Sequence, residues 1–241
     1  MDSVRTIGFR RRHLPHWTVA DRSYFVTIRL KGSIPASVVR ELEHERAELA
    51  ARHPAKEEVE TLRRTQFRRI DAILDAAVSG PKFLNIAPVA DIVFSAFDWI
   101  DTQRGWRVHA ATVMPNHTHT VLRNTKGHND QLNRDLGVFK GFTARECNRI
   151  LGRTGRPFWM DENFDHWIRH EGKLFSAVHY TAMNPVRAGL ATHWSDWPWT
   201  RVGQAFLPDQ DQDTTGEGRS AIRGRPRQAV MPDVLEGNCE H

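Results

Sequence analysis

Two histidines stand two residues apart in Val113-Met114-Pro115-Asn116-His117-Thr118-His119-Thr120-Val121, just after a Pro-Asn turn and at the start of a β-branched run. Side chains alternate faces along a strand. His117 and His119 therefore point the same way, Thr118 points the other way, and two imidazoles side by side make half of a metal clamp. A chain with 13 histidines produces such pairs by chance. The pair gains meaning only with a third ligand and a reactive group.

Both are on offer later, in Gly172-Lys173-Leu174-Phe175-Ser176-Ala177-Val178-His179-Tyr180-Thr181-Ala182-Met183-Asn184-Pro185, which reads as a short helix. Proline disfavours the helical region for the residue before it, so the helix is expected to stop at Asn184. Tyr180 and Asn184 are four apart and share one helix face. A tyrosine beside a metal is a candidate nucleophile, and an asparagine one turn on offers its carbonyl oxygen as a ligand. The chain has only one other tyrosine, Tyr24, which reads as a packing residue in a strand.

The 241 residues suit one domain with a tail and are enough for a core without disulfides. Cys147 and Cys239 match no metal spacing, so a reducing, cytoplasmic setting is expected. Arg10-Arg11-Arg12 has no apolar stretch behind it, and Asp91 and Asp98 interrupt the longest apolar region; neither a signal peptide nor a membrane span is expected. Net charge is +5, unevenly spread. Residues 208–241 hold seven acids and four arginines, which leaves 30 bases and 22 acids in residues 1–207. A basic folded part fits a polyanionic partner, nucleic acid first, although an ordinary basic protein has the same balance.

In chain order, residues 1–22 read as basic and irregular, and residues 23–30 as the first strand. Residues 36–78 read as two helices parted at His53-Pro54. Val59, Leu62, Phe67, Ile70 and Leu74 form the apolar stripe of the second, and its Glu- and Arg-rich remainder reads as a solvated face. Val89, Ile92, Val93, Ala96, Phe97 and Ile100 give the cleanest amphipathic helix, ended by Gly105. Residues 106–113 and the histidine strand then form a tight antiparallel hairpin. Asn129 reads as the cap of a helix burying Leu132, Leu136, Phe139, Thr143, Cys147 and Ile150. Residues 164–170 return to the sheet, and Trp194, Trp197 and Trp199 close the domain. The tail from Pro208 has few core-forming residues and reads as disordered; its Arg223-Gly224-Arg225-Pro226-Arg227 is a weak minor-groove signal.

These pieces, in this order, resemble the REP-associated tyrosine transposases of the HUH superfamily. The resemblance spans about residues 13–201 by motif order. It rests on Leu14-Pro15-His16-Trp17, Tyr24-Phe25-Val26-Thr27, the histidine stretch, Lys140-Gly141-Phe142-Thr143-Ala144, Pro157-Phe158-Trp159, Phe164-Asp165, Ile168-Arg169, and Tyr180 with Asn184-Pro185-Val186-Arg187-Ala188-Gly189-Leu190. Thr118 departs from the bulky hydrophobic residue usual between the histidines, and Met160 from a common Gln.

The resemblance implies an α+β fold: a central antiparallel sheet of four or five strands with helices on its faces. Residues 1–207 would be the transposase domain, with a charged helical insertion at about residues 36–80 after the first strand. It puts metal ligands on His117, His119 and Asn184, the nucleophile on Tyr180, and Mg²⁺ or Mn²⁺ in the site. The implied activity is cleavage of single-stranded DNA beside repeat hairpins through a 5′-phosphotyrosine link, by a monomer or homodimer. Charge and position add Arg10, Arg11, Arg12, Lys140 and Arg187 as DNA contacts and Trp159 as a stacking platform. Three other readings stay open. One is a hydrolase using the histidine pair, disfavoured because the nearest acid in sequence is Asp130. The others are a non-cleaving hairpin-binding module and a relaxase or replication initiator.

Overall fold

The computed structural model describes the backbone of residues 6–11 and 15–19 and whole residues 22–125 and 132–207. Arg12, Asn129, Asp130, the tail from Pro208 and its arginine motif lie outside the described residues, as do the side chains of Arg10 and Arg11.

Five strands make one antiparallel sheet in the order β6-β3-β5-β4-β7. These are β3 (Ser23–Arg29), β4 (Trp106–Val113), β5 (His117–Asn124), β6 (Phe164–Trp167) and β7 (Thr200–Val202). The α+β class and the strand number match the sequence expectation. β1 (Thr6–Arg11) and β2 (Pro15–Val19) form a separate antiparallel hairpin, where the sequence reading had irregular chain. Thr-Ile-Gly-Phe and His-Trp-Thr-Val are β-branched and aromatic, and Pro15 is tolerated as a first strand residue; the flanking arginines masked the pattern.

The two faces of the sheet bury different side chains, as period-two alternation requires. One face carries Tyr24, Val26, Ile28, Leu30, Val108, Ala111, Val113 and Leu122 against α3 (Ala87–Gln103) and α4 (Leu132–Ile150). Phe97 and Phe139, both fully buried, meet there with ring centroids 4.8 Å apart. Burying such a side chain is worth about 1.5–3 kcal/mol. Tyr24 belongs to this core, edge-on to Trp106.

The opposite face carries Phe25, Ala110 and Val121 under α5 (Glu171–Arg187), with Phe67 of α2 (Lys56–Ala76) packed on the same cluster. α2 pairs with α1 (Ala36–Ala51) through a polar seam: Gln66 donates to the Leu42 carbonyl and to Glu45, and Arg69 bridges Glu41 and Glu45. The two helices start and end at one neck. Gly80 has φ +79°, and a Cβ there would lie 2.4 Å from the Gly32 carbonyl oxygen, so only glycine fits this approach. The neck brings the last turns of α2 back to the sheet.

α5 runs through Pro185 to Arg187 rather than stopping at Asn184. Pro185 has no N–H to donate within the helix, and the stop is the motif that follows. Leu190 N–H bonds the Pro185 carbonyl at 2.8 Å, Gly189 N–H bonds that of Val186 at 3.0 Å, and Gly189 takes φ +70°.

Candidate metal and nucleophile site

Residues 117–120 at the start of β5 are fully buried. The β3–β5 register sets Thr27 opposite His119 and Arg29 opposite His117. Cross-strand partners share a face. Thr27 Oγ1 therefore reaches His119 Nδ1 at 2.9 Å, and Phe25, one step along that face, stacks on the His119 ring at 5.3 Å. His117 Nδ1 meets Asn116 Oδ1 at 2.7 Å. The amide oxygen can only accept, so His117 carries its proton on Nδ1 and turns the Nε2 lone pair inward. The two Nε2 atoms are 3.0 Å apart, which rules out a proton on both.

Tyr180 and Asn184 arrive from α5 on the same side. The Tyr180 ring is half-buried, edge-on to His119 at 5.7 Å and to Phe25 at 5.8 Å. Asn184 is fully buried; its amide lies against the Asp75 carboxylate and works against the burial that raises that group's pKa, and neither amide atom makes an aligned hydrogen bond among the described residues. The structure thus brings together His117, His119, Tyr180 and Asn184.

It also brings two residues that the sequence reading left on a solvated helix face. Asp71 and Asp75 lie on α2, one turn apart, beside its apolar stripe. Asp71 Oδ1 is 3.2 Å from His119 Nε2, and Asp75 Oδ1 is 3.7 Å from His117 Nε2. The four donor atoms lie within 4.8 Å of one another. Sequence distance to Asp130 was therefore a poor guide to nearby acids, because the Gly32–Gly80 neck folds α2 onto the histidines.

The electrostatics are those of an electron-rich pocket. Burial, then the neighbouring His119, holds the His117 imidazole well below its usual range. Burial, then Arg187, lowers His119 to about 3. Burial raises Asp71 against the pull of His117 and Arg187, and burial plus the Asp71 charge raises Asp75 to about 6. Neutral imidazoles, poorly solvated carboxylates and an amide without an aligned hydrogen bond fit a bound cation, which would offset the desolvation cost of every one of them.

The proposed DNA contacts divide. Arg187 lies over the Tyr180 ring, its guanidinium carbon 4.4 Å from the centroid, and pairs with Asp75 at 3.6 Å. Lys140 is on α4, donating to the Asp161 carbonyl at 2.8 Å along a groove shared with Gly137, Gly141, Arg156 and Met160. Trp159 is only 5% exposed; it packs edge-on to Phe158 and its indole N–H donates to Thr143. It packs as a core residue with an edge on the Lys140 groove, not as an open stacking surface. Its bridge to Leu30 draws it under the sheet edge.

No family model matches the sequence. The REP-associated tyrosine transposase of Escherichia coli (strain K12) is 27% identical over 101 residues, which are 42% of this chain and 57% of that protein. The chain thus matches little more than half the length of that curated relative. A solved REP-associated tyrosine transposase bound to a REP hairpin superposes with a TM-score of 0.51 at 16% identity, over 88% of this chain and 99% of that one. At that identity the likeness is one of fold. In sequence over the matched segment, and in fold over most of its length, the chain resembles the REP-associated tyrosine transposases.

Proposed function

We propose that this chain is a metal-dependent single-strand DNA endonuclease and strand transferase, acting beside repeat hairpins through Tyr180. The observation that supports it most is the seating of Tyr180 against His119, with the buried Asn184 one helical turn on. The sequence and fold likeness to transposases, one of them bound to a REP hairpin, points to the same substrate.

His117, His119 and Asn184 would hold the cation, Mg²⁺ or Mn²⁺. Bound there, it would polarise a non-bridging phosphate oxygen and offset the charge of the attacked group. The Tyr180 phenol loses its proton, and its oxygen bonds to phosphorus as the bond from phosphorus to the 3′-oxygen breaks. That oxygen takes up a proton and becomes a 3′-hydroxyl, while the 5′-phosphate stays esterified to Tyr180. One phosphodiester replaces another, so a second strand's 3′-hydroxyl reverses the exchange without ATP. Arg187 provides a positive charge at the tyrosine.

A metal-dependent hydrolase is the second reading, favoured by Asp71 and Asp75 beside the histidines. The test uses end-labelled hairpin oligonucleotides with Mn²⁺. Under the tyrosine reading, Tyr180→Phe loses both cleavage and the protein-linked band. A hydrolase keeps cleaving without Tyr180, and a binding module retards the hairpin without cutting it.

A further inference from the structure

We propose that Asp71 and Asp75 are direct ligands of the cation held by His117, His119 and Asn184, so that the inserted helix α2 completes the centre. The proposal deepens the metal-dependent reading above and rests on it.

Nitrogen and oxygen ligands on one such cation, each at roughly 2.1 Å, stand up to about 4.2 Å apart. The four donor atoms already lie within 4.8 Å of one another, although they come from two elements far apart in sequence. A contraction of about half an ångström would close the set.

The present partners leave these groups incompletely satisfied: the Asn184 amide sits against Asp75, and Arg187 pairs with that carboxylate at 3.6 Å. Asp71 Oδ1 and Asp75 Oδ1 are buried without an aligned hydrogen bond among the described residues, as are both atoms of the Asn184 amide. The carboxylates are not simple ion-pair partners of two imidazolium rings, because Nε2 atoms 3.0 Å apart cannot both carry protons. The Nδ1 partners, Asn116 and Thr27, also turn the Nε2 atoms toward Asp71 and Asp75. Arg187 pairs with Asp75 from a half-exposed position, and its single charge cannot balance both carboxylates. A dication among the four donors satisfies both carboxylate oxygens and both Nε2 lone pairs.

Asp71 and Asp75 are one helical turn apart, so a single face of α2 presents both. The glycine neck and the packing of Phe67 on Phe25 and Phe164 hold that face to the sheet. Two carboxylates added to two imidazoles and an amide favour Mn²⁺ over Mg²⁺, because imidazole nitrogen suits the softer ion.

The test is Mn²⁺ binding to the chelator-stripped full chain without DNA, read by calorimetry and by the electron paramagnetic resonance of free Mn²⁺. Asp71→Asn and Asp75→Asn are each expected to weaken binding at least about tenfold, and the double variant to abolish the metal-induced rise in Tm. Asn keeps the shape and removes a buried charge, so the metal-free variants should be as stable as the parent, which thermal melting checks. A double variant that binds Mn²⁺ within twofold of the parent overturns the proposal, as does a parent that binds none. Tyr180→Phe should bind Mn²⁺ like the parent. If that variant still cleaves while the aspartate variants lose the metal, the tyrosine reading fails and the ligand assignment stands.

Discussion

Asp71 Oδ1 lies 3.2 Å from His119 Nε2, although all of α3 and β4 intervene between them in the chain. The contact exists because the helical pair leaves and rejoins the fold at one point, where Gly80 touches the Gly32 carbonyl. Gly80→Ala combines an unfavourable φ with a backbone clash. The expected cost is about 1–3 kcal/mol or more, measured by urea unfolding, together with weaker Mn²⁺ binding as α2 shifts. An unchanged unfolding midpoint would show that the neck tolerates a side chain.

Thr27 fixes the His119 ring through Nδ1. Thr27→Val keeps the shape and the strand preference but removes that partner. Metal affinity is expected to fall about 10- to 100-fold with little change in fold. Calorimetry with Mn²⁺ and the circular dichroism melt measure the two effects separately.

Arg187 touches both Asp75 and the Tyr180 ring, so its loss should act in two directions. Arg187→Ala removes a positive charge beside the cation, and Mn²⁺ should bind more tightly. It also removes a charge that would face the phosphate, and cleavage should drop on the order of 100-fold. Falls in both quantities would mean that Arg187 chiefly supports the fold.

Trp159 separates packing from DNA contact. Trp159→Ala should cost about 3–5 kcal/mol in urea unfolding, because it opens the core around Phe139 and Phe158. Hairpin affinity of the milder Trp159→Phe should match the parent. A large loss of affinity at unchanged stability would return Trp159 to the DNA.

Cys147 is fully buried, and burial, then the Glu146 charge, pushes its thiol up to about 12. In a Cys239→Ser background, Ellman's reagent should show no fast reaction up to pH 9, and full reaction once denaturant is added. A fast native phase would place Cys147 in an accessible opening of the core.

Much of this arrangement was legible in local pattern. A period of two set His117 and His119 on one face, and a spacing of four joined Tyr180 to Asn184. Those regularities belong to single elements, and the packing of α5 on the Phe25–Val121 face of the sheet brought them into the same pocket. Asp71 and Asp75 were not legible that way. On a helix crowded with Glu and Arg, a further acid looks solvated, and what distinguishes these two is a neck closed by Gly32 and Gly80. The one local hint is their position flanking Phe67, Ile70 and Leu74. Pro185 misled in the opposite sense: its rule is a steric bias on the residue before it, and α5 keeps Asn184 helical and runs on to Arg187 before the Gly189 motif ends it.

The central claim is that Tyr180 bonds to DNA. The most direct measurement is mass spectrometry of a tryptic digest after reaction with a hairpin oligonucleotide and Mn²⁺. Cleavage after Lys173 and Arg187 yields a peptide of residues 174–187 whose only tyrosine is Tyr180. The expected result is that peptide carrying a 5′-phosphonucleotide from the downstream fragment. Cut DNA with a free 5′-phosphate, and no adduct on that peptide, would contradict the claim and establish a metal hydrolase instead.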